Sequence, residues 1–328
     1  PKTGVHDAPV RLRSEGAYLI TGGLGGLGRL FAKQILDSAP DAHVIVTGRS
    51  AADERIAADV ESWHAGSRLE YRRLLLDKRE DVEALIAGLR DDGVQLRGIL
   101  HCAGQVADNF VVNKSADEFA HVLAPKLGGT LSLDEATRDF DLDFFMLFSS
   151  VMSETGNAGQ SDYACANGFL DHYAAYRNAL VAKGLRSGHT VSINWPLWRD
   201  GGMQVDASAL ALLKETRGMV PMPTAVGLDF FKAQDWRNAQ QVLILHGDSR
   251  QLYAELLVNT SRHVAHAGHV DAAELLAATR SALAALVAEQ LKLPVGKLDI
   301  EEELAHYGID SIFVNKINLA LSKHFSAV

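Results

Sequence analysis

The eight residues Thr21-Gly22-Gly23-Leu24-Gly25-Gly26-Leu27-Gly28 constrain this chain more than any other segment. They follow the apolar run AYLIT (17 to 21) and open the amphipathic stretch GLGRLFAKQILDSA. A strand, a glycine turn and a helix in that order let the backbone turn tightly and bring the free N–H groups of a helix N-terminus against a pyrophosphate. Two spacings fit: GxGxxG on Gly23, Gly25 and Gly28, and TGxxxGxG on Thr21, Gly22, Gly26 and Gly28. The expectation is a dinucleotide-binding turn.

Short apolar runs recur beyond it: HVIVTG (43 to 48), LEYRRLLL (69 to 76), GILHCAG (98 to 104), LDFFMLFSS (142 to 150), HTVSINW (189 to 195) and QVLILHG (241 to 247). With AYLIT they make seven candidate strands. Helical stretches such as ADEFAHVLAPKLGGTLSLDEATR separate most of them, which predicts an α/β fold, a doubly wound Rossmann-type parallel sheet. The alternation stops after Val258. Residues 260–270, TSRHVAHAGHV, are small, polar and aperiodic, as in a linker. From Asp271 an amphipathic helix runs to before Pro294, and a loop then leads to Gly308-Ile309-Asp310-Ser311 and a second amphipathic helix. The expected division is a catalytic domain over 1–259, a linker over 260–270 and a small all-α unit over 271–328.

Size agrees, because 328 residues exceed what one core usually supports. A net charge of −9 opposes sequence-independent binding to nucleic acid or to an anionic membrane. No apolar run approaches the roughly 18 residues of a membrane span. Residues 1–13 lack the apolar segment of a signal peptide, so a cytoplasmic location is expected. Two cysteines, Cys102 and Cys165, are too few for a disulfide framework or a four-cysteine zinc site. His263, His266 and His269 cluster without carboxylates or thiols, and no metal site is expected.

A fold of this kind that binds NAD usually ends its second strand with Asp or Glu, to bond the ribose 2′-hydroxyl. Here that place holds Gly48-Arg49-Ser50, and a guanidinium suits a 2′-phosphate, hence NADPH, although an exposed Arg at a strand end is also commonplace. Asp77 after the third strand suits the adenine amino group or an ordinary turn. Hydride delivery to a ketone leaves an alkoxide, which calls for a proton donor and a second hydrogen-bond donor. Tyr163 and Ser150 suit these roles, with Ser149 a rival by position and Asn167 following Tyr163 at i+4 on the same helical face. A phenol is a poor acid–base catalyst at neutral pH unless a cation stabilises its phenolate, so a lysine is required nearby.

In order, TGGLGGLG, GRS, HCAG, PKLGG, FSS and YACAN resemble the ketoreductase domains of modular polyketide synthases, within the short-chain reductase superfamily, over about residues 15–200. The family places its serine thirteen residues before the tyrosine, which selects Ser150. Most short-chain reductases put their lysine four residues after the tyrosine, where this chain has Asn167. The resemblance implies that Lys126 of the preceding helix supplies the cation instead, and that Asn167 completes the proton relay. It further implies that Ala103 and Gly104 border the cofactor and that a β-ketoacyl thioester is reduced by NADPH.

In that family an Asp after the HxAG strand, within LDD, marks the class that gives the D-hydroxy product. Here Val106-Ala107-Asp108 keeps only the Asp, and Thr155 replaces the Trp of the opposite class. Residues 202–221 have helical apolar spacing and resemble a substrate lid, with Met203 and Leu210 as specificity candidates. LAHYGIDSIFVNKINLAL resembles acyl carrier proteins, which implies a 4′-phosphopantetheine arm on Ser311. Only 17 residues follow Ser311, so a truncated carrier is expected. A structural ketoreductase half upstream and a ketosynthase are the expected neighbours in a larger synthase. Two rival readings are a free-standing reductase or epimerase of a diffusible ketone and a non-catalytic scaffold.

Overall fold

The computed structural model describes residues 12–203, 205–254, 272–291, 293–299 and 302. β1 (Ala17–Thr21), α1 (Gly26–Ser38), β2 (His43–Gly48), α2 (Glu54–Glu61), β3 (Leu69–Arg73), α3 (Arg79–Asp91) and β4 (Leu96–His101) alternate along the chain. The pattern continues through α4 (Ala116–Ala136), β5 (Phe144–Ser150), the single turn α5 (Met152–Thr155), α6 (Ser161–Ala182) and β6 (His189–Trp195). After these come α7 (Ala207–Arg217), α8 (Thr224–Ala233), β7 (Gln241–Leu243), α9 (Ser249–Tyr253) and α10 (Ala272–Leu291).

All seven strands are parallel and lie in the order β3-β2-β1-β4-β5-β6-β7. The order reverses between β1 and β4, and ligands of doubly wound sheets enter at the carboxyl ends of such a pair. β1, β2 and β5 are near-continuous apolar runs because helices cover both faces. Tyr18 and Ile20 of β1 join Phe31 and Ile35 of α1 and Phe231 of α8 in one layer. Ala17 and Leu19 join Val82 and Ile86 of α3, Leu133 of α4 and Leu170 of α6 in the other.

A buried ion pair fastens α4 to α6. The Asp134 carboxylate accepts from Arg177 Nε at 2.7 Å, from the Tyr173 hydroxyl at 2.7 Å and from Arg186 Nε at 3.0 Å. Arg177 is fully buried, and its remaining donors reach the carbonyls of Ser187 and Gly188 and the Thr190 hydroxyl. Such a pair stabilises only because every polar group is satisfied; removing one partner costs about 3–5 kcal/mol.

Four strands differ from their expected bounds. β3 stops at Arg73 rather than Leu76, because Leu74 N–H bonds Gly48 O, the last residue of β2, and Leu74 and Leu76 then pack beneath α3. β7 is three residues long: after Ile244 N–H bonds Asn194 O, the chain leaves the sheet and Val220 N–H bonds His246 O instead. β4 starts two residues earlier and ends at His101, and β5 begins at Phe144.

The chain divides into two compact units, Pro1–Gln204 with Val220–His246, and Val205–Met219 with Gly247–Val328. In the second, α7 begins at Asp206, whose carboxylate caps Ser208 and Ala209 N–H, and ends at Gly218 in the left-handed conformation. Gln251 of α9 donates to Glu215 O at 2.8 Å. The segment expected to be helical over 202–221 is thus a shorter helix; Leu210 lies on it, and Met203 is exposed in the first unit. Among the described residues no helix is long and apolar enough to cross a membrane.

Candidate active site

The glycine run shapes the end of β1 and the start of α1. Gly22 has φ 64°, and a Cβ there would come 3.0 Å from Ala103 Cα, so glycine is required for β1 and β4 to leave the sheet side by side. The Thr21 hydroxyl joins the two segments, accepting from Ala103 N–H at 3.3 Å and meeting His101 Nδ1 at 2.7 Å. His101 Nε2 lies 3.0 Å from Pro125 O, which can only accept, so Nε2 carries the proton and Nδ1 accepts from Thr21. Burial and the nearby Lys126 cation pull His101 down to about 3 and keep it neutral. Gly25 is the N-cap of α1 with no side-chain cap, which leaves the first N–H groups of a 13-residue helix for an anion. Gly23, Gly26 and Gly28 serve packing: a Cβ would collide with Val46, with Gly201 O and with Gly22 O, respectively. Leu24 and Leu27 are half-buried beside them and pack on the α1 layer.

The corner after β2 is held by three contacts that the sequence did not reveal. The Tyr71 hydroxyl donates to Ser50 O at 2.7 Å, Arg73 Nε donates to Arg49 O at 3.2 Å, and Arg49 Nη1 donates to Gln105 Oε1 at 3.0 Å. Arg49 is therefore an exposed guanidinium at the β2 edge, with a second one beside its backbone. Asp77 is exposed in a turn four residues past the end of β3, beyond the strand end assigned to it from sequence.

Ser150 of β5 and Asn167 of α6 meet Tyr163 of α6, and Lys126 of α4 reaches the carbonyl of Phe148 on β5, two residues before Ser150. Ser150 accepts from Met152 N–H at 3.2 Å, which leaves its own proton for another acceptor. Burial raises the Tyr163 phenol above its ordinary range, the side chains of Ser150 and Asn167 bonded to it draw it back, and the charge of Asp108 raises it. Asn167 Nδ2 donates to Tyr163 O at 2.7 Å, while its buried Oδ1 has no partner. Lys126 is 4% exposed and donates to Phe148 O at 2.6 Å. A Cβ on Gly104 would lie 2.9 Å from Lys126 Cε, so Gly104 clears the path of that side chain. Burial pulls the Lys126 ammonium down to about 8 against the pull of Cys102 and Asp171, and burial pushes the Cys102 thiol well up. Chemically this is a protonated phenol, a hydroxyl donor and a buried cation at the edge where a dinucleotide fold presents its cofactor.

The KR domain family model matches residues 16–200, more than half of the chain. The chain belongs to the KR domain family. A phosphopantetheine attachment site follows at residues 281–327. The chain is similar to polyketide synthase PksN of Bacillus subtilis (strain 168), 39% identical over 323 residues, covering 94% of this chain and 6% of that protein. It is likewise similar to polyketide synthase ThaG of Burkholderia thailandensis, 40% identical over 307 residues, covering 92% and 5%. It thus spans under a tenth of each relative. Among solved structures, a ketoreductase domain from the bacillaene assembly line aligns with TM-score 0.72 and 43% identity over 75% of this chain and 59% of that one. An N-terminal ketoreductase from the macrolactin assembly line aligns with TM-score 0.67 and 37% identity over 76% and 49%. Ser311, the linker over 260–270 and the three clustered histidines lie outside the described residues.

In this ketoreductase domain the loop after β4 is fastened to the start of the Tyr163 helix. Asp108, read from sequence as a stereochemical marker or a turn cap, accepts both bonds from Gln160 Nε2, at 3.0 and 3.1 Å. Asn109 N–H donates to Gly159 O. Lys114 Nζ, its side chain 1% exposed, donates to Ala107 O and to Asp162 Oδ2, each at 2.5 Å. Asp162 Oδ1 accepts from Tyr163 N–H at 2.8 Å. Gln160, Asp162 and Lys114 were not singled out from sequence. The only signal for Gln160 and Asp162 was their nearness to Tyr163, and Lys114 gave none, since the partners in these pairs stand 48 and 52 residues apart.

Proposed function

We propose that this ketoreductase domain uses NADPH to reduce a β-ketoacyl thioester, delivered on a phosphopantetheine arm, to the β-hydroxyacyl thioester during polyketide assembly. The observation that carries the reading is a protonated Tyr163 bonded by the side chains of Ser150 and Asn167, with the buried Lys126 reaching the strand that carries Ser150. Bound NADPH would supply a hydride to the ketone carbon. The glycine run, Ala103 and Gly104 would hold its pyrophosphate and nicotinamide side, and Arg49 with Ser50 its 2′-phosphate. The uncapped N-terminus of α1 suits the pyrophosphate.

As hydride addition turns the ketone oxygen into an alkoxide, that oxygen takes a hydrogen bond from Ser150 and the proton of the Tyr163 hydroxyl, and becomes the hydroxyl of the product. The resulting phenolate would be stabilised by the Lys126 ammonium and would regain its proton from a water held by Asn167 Oδ1, which is free to accept. Asp108 and the absence of Trp at Thr155 support the D-hydroxy product. Ser311 would carry the arm, and the neighbours would be the other domains of a cytoplasmic synthase, including an upstream structural half and a ketosynthase. Asp77 remains a candidate for the adenine amino group.

Tyr163→Phe is expected to lower turnover of a β-ketoacyl thioester at least a thousandfold, while NADPH binding stays within about twofold. Retained turnover would remove Tyr163 from the role of proton donor. Chiral analysis of the wild-type product, with NADPH against NADH, tests cofactor and stereochemistry together.

A further inference from the structure

Tyr163, Asn167 and Asp171 follow one another at intervals of four along α6 and so share one face. Tyr163 and Asn167 are absorbed by the chemistry above; Asp171 is not. Its carboxylate is 7% exposed and accepts from the Ser192 hydroxyl of β6 at 2.6 Å, the Ser153 hydroxyl of α5 at 2.6 Å and Asn194 Nδ2 of β6 at 2.9 Å. Asn194 is fully buried, and Gln241 Nε2 donates to its Oδ1 at 3.1 Å, which turns its NH2 inward. That NH2 lies 3.2 Å from Ser150 O, 3.2 Å from Ser149 Oγ and 2.7 Å from Ser153 Oγ. Ser149 in turn donates to Asn167 O at 3.3 Å. One carboxylate thus connects the helix that carries Tyr163 and Asn167 with the strand end that carries Ser150 and with the neighbouring strand.

We infer that Asp171, acting with Asn194, is the positioning residue of this ketoreductase centre, holding Ser150 and the Tyr163 helix in register and supplying the buried negative charge behind Lys126. The inference rests on the functional reading above. A buried carboxylate is costly unless fully bonded, and three donors from two other elements repay it here. Among the described residues, the titratable groups that act on Lys126 or feel its charge are His101 at the end of β4, Cys102 after it and Asp171 on α6. His101 is held neutral and Cys102 is held as the thiol, so Asp171 is the anion among them.

The test compares Asp171→Asn with wild type in the full chain. Asn keeps the volume and removes the charge. Expected are a fall in kcat of tenfold or more, a KM for NADPH within about twofold of wild type, and an alkaline limb of kcat shifted to lower pH. The sign follows from Asp171 raising Lys126: without it, burial lowers the ammonium further and its proton leaves earlier as pH rises. A kcat within twofold of wild type overturns the inference. So does an unmoved alkaline limb, because a carboxylate that only supports the fold would slow the enzyme without moving it. Should Asp171→Asn fail to bind NADPH, Ser192→Ala carries the test, since it removes one donor and leaves the charge: kcat is expected to fall at least threefold with the limb in place. An unchanged kcat in Ser192→Ala is the overturning result. Tyr163→Phe run alongside separates the two layers. If it stays active, the site assignment has failed; if it is inactive and Asp171→Asn is normal, only the positioning role has.

Discussion

Two turns leave neighbouring strands at the same edge of the sheet, and they are held in opposite ways. After β1 the chain turns within four residues and enters α1 directly, and its shape comes from glycines whose absent Cβ atoms leave room for Val46, Ala103 and the turn's own backbone. After β4 it runs irregularly from Cys102 to Lys114, and its shape comes from side chains that reach across to Gln160 and Asp162. The first turn is a property of its own sequence; the second is a property of what it meets. Under the proposed function, the first construction would serve a phosphate group that does not vary, and the second a loop beside an acyl chain that does, because its anchors can change without altering the strand.

The comparison is broken most severely at the glycine turn. Gly28→Val would drive its Cβ into Gly22 O and to 2.7 Å from Gly23 Cα, and is expected to weaken NADPH binding more than about a hundredfold, measured by the quenching or enhancement of nicotinamide fluorescence. Next comes the loop anchor. Lys114→Met leaves Asp162 buried without its cation, and should cost about 3–5 kcal/mol in urea denaturation, whereas Lys114→Met with Asp162→Leu should recover most of the loss. If the double variant is as unstable as the single, the loop is held by something other than this pair. The smallest effect is expected where the loop joins α4. The Ser115 hydroxyl caps Glu118 N–H and the Glu118 carboxylate returns to Ser115 N–H, so Ser115→Ala should cost about 1 kcal/mol and leave NADPH affinity unchanged. A loss of NADPH affinity there would mean the two turns are coupled rather than independent.

Legibility followed the same division. The sheet could be read because its central strands are largely buried on both faces, and the runs over 17–21, 43–48 and 189–195 coincide with β1, β2 and β6. LEYRRLLL misled because Leu74 and Leu76 are apolar for a different reason: they pack under α3 after the ladder has ended at Arg73. Among the candidate site residues, Tyr163 and Asn167 were read from their four-residue interval on one helix, whereas Ser150 was preferred over Ser149 through the family's serine-to-tyrosine spacing. Lys126 came from resemblance to a family, since 37 residues and a strand separate it from Tyr163. Asp171 and Asn194 gave no sequence signal of their own, as a helix Asp and a strand Asn are ordinary until their partners are seen.

By itself, then, the sequence determined the glycine turn and the parallel sheet, because each depends on local backbone freedom or on periodicity. Only the tertiary structure decided which tautomer His101 holds, that Gly104 makes way for Lys126, and that the Asp108 loop is tied to the Tyr163 helix. Those outcomes depend on desolvation and on groups brought together from distant stretches, 24 residues apart for His101 and Pro125 and 52 for Asp108 and Gln160, which share no periodicity along the chain. The turn after β1 carries its instructions in its own glycines, whereas the turn after β4 receives them from α6.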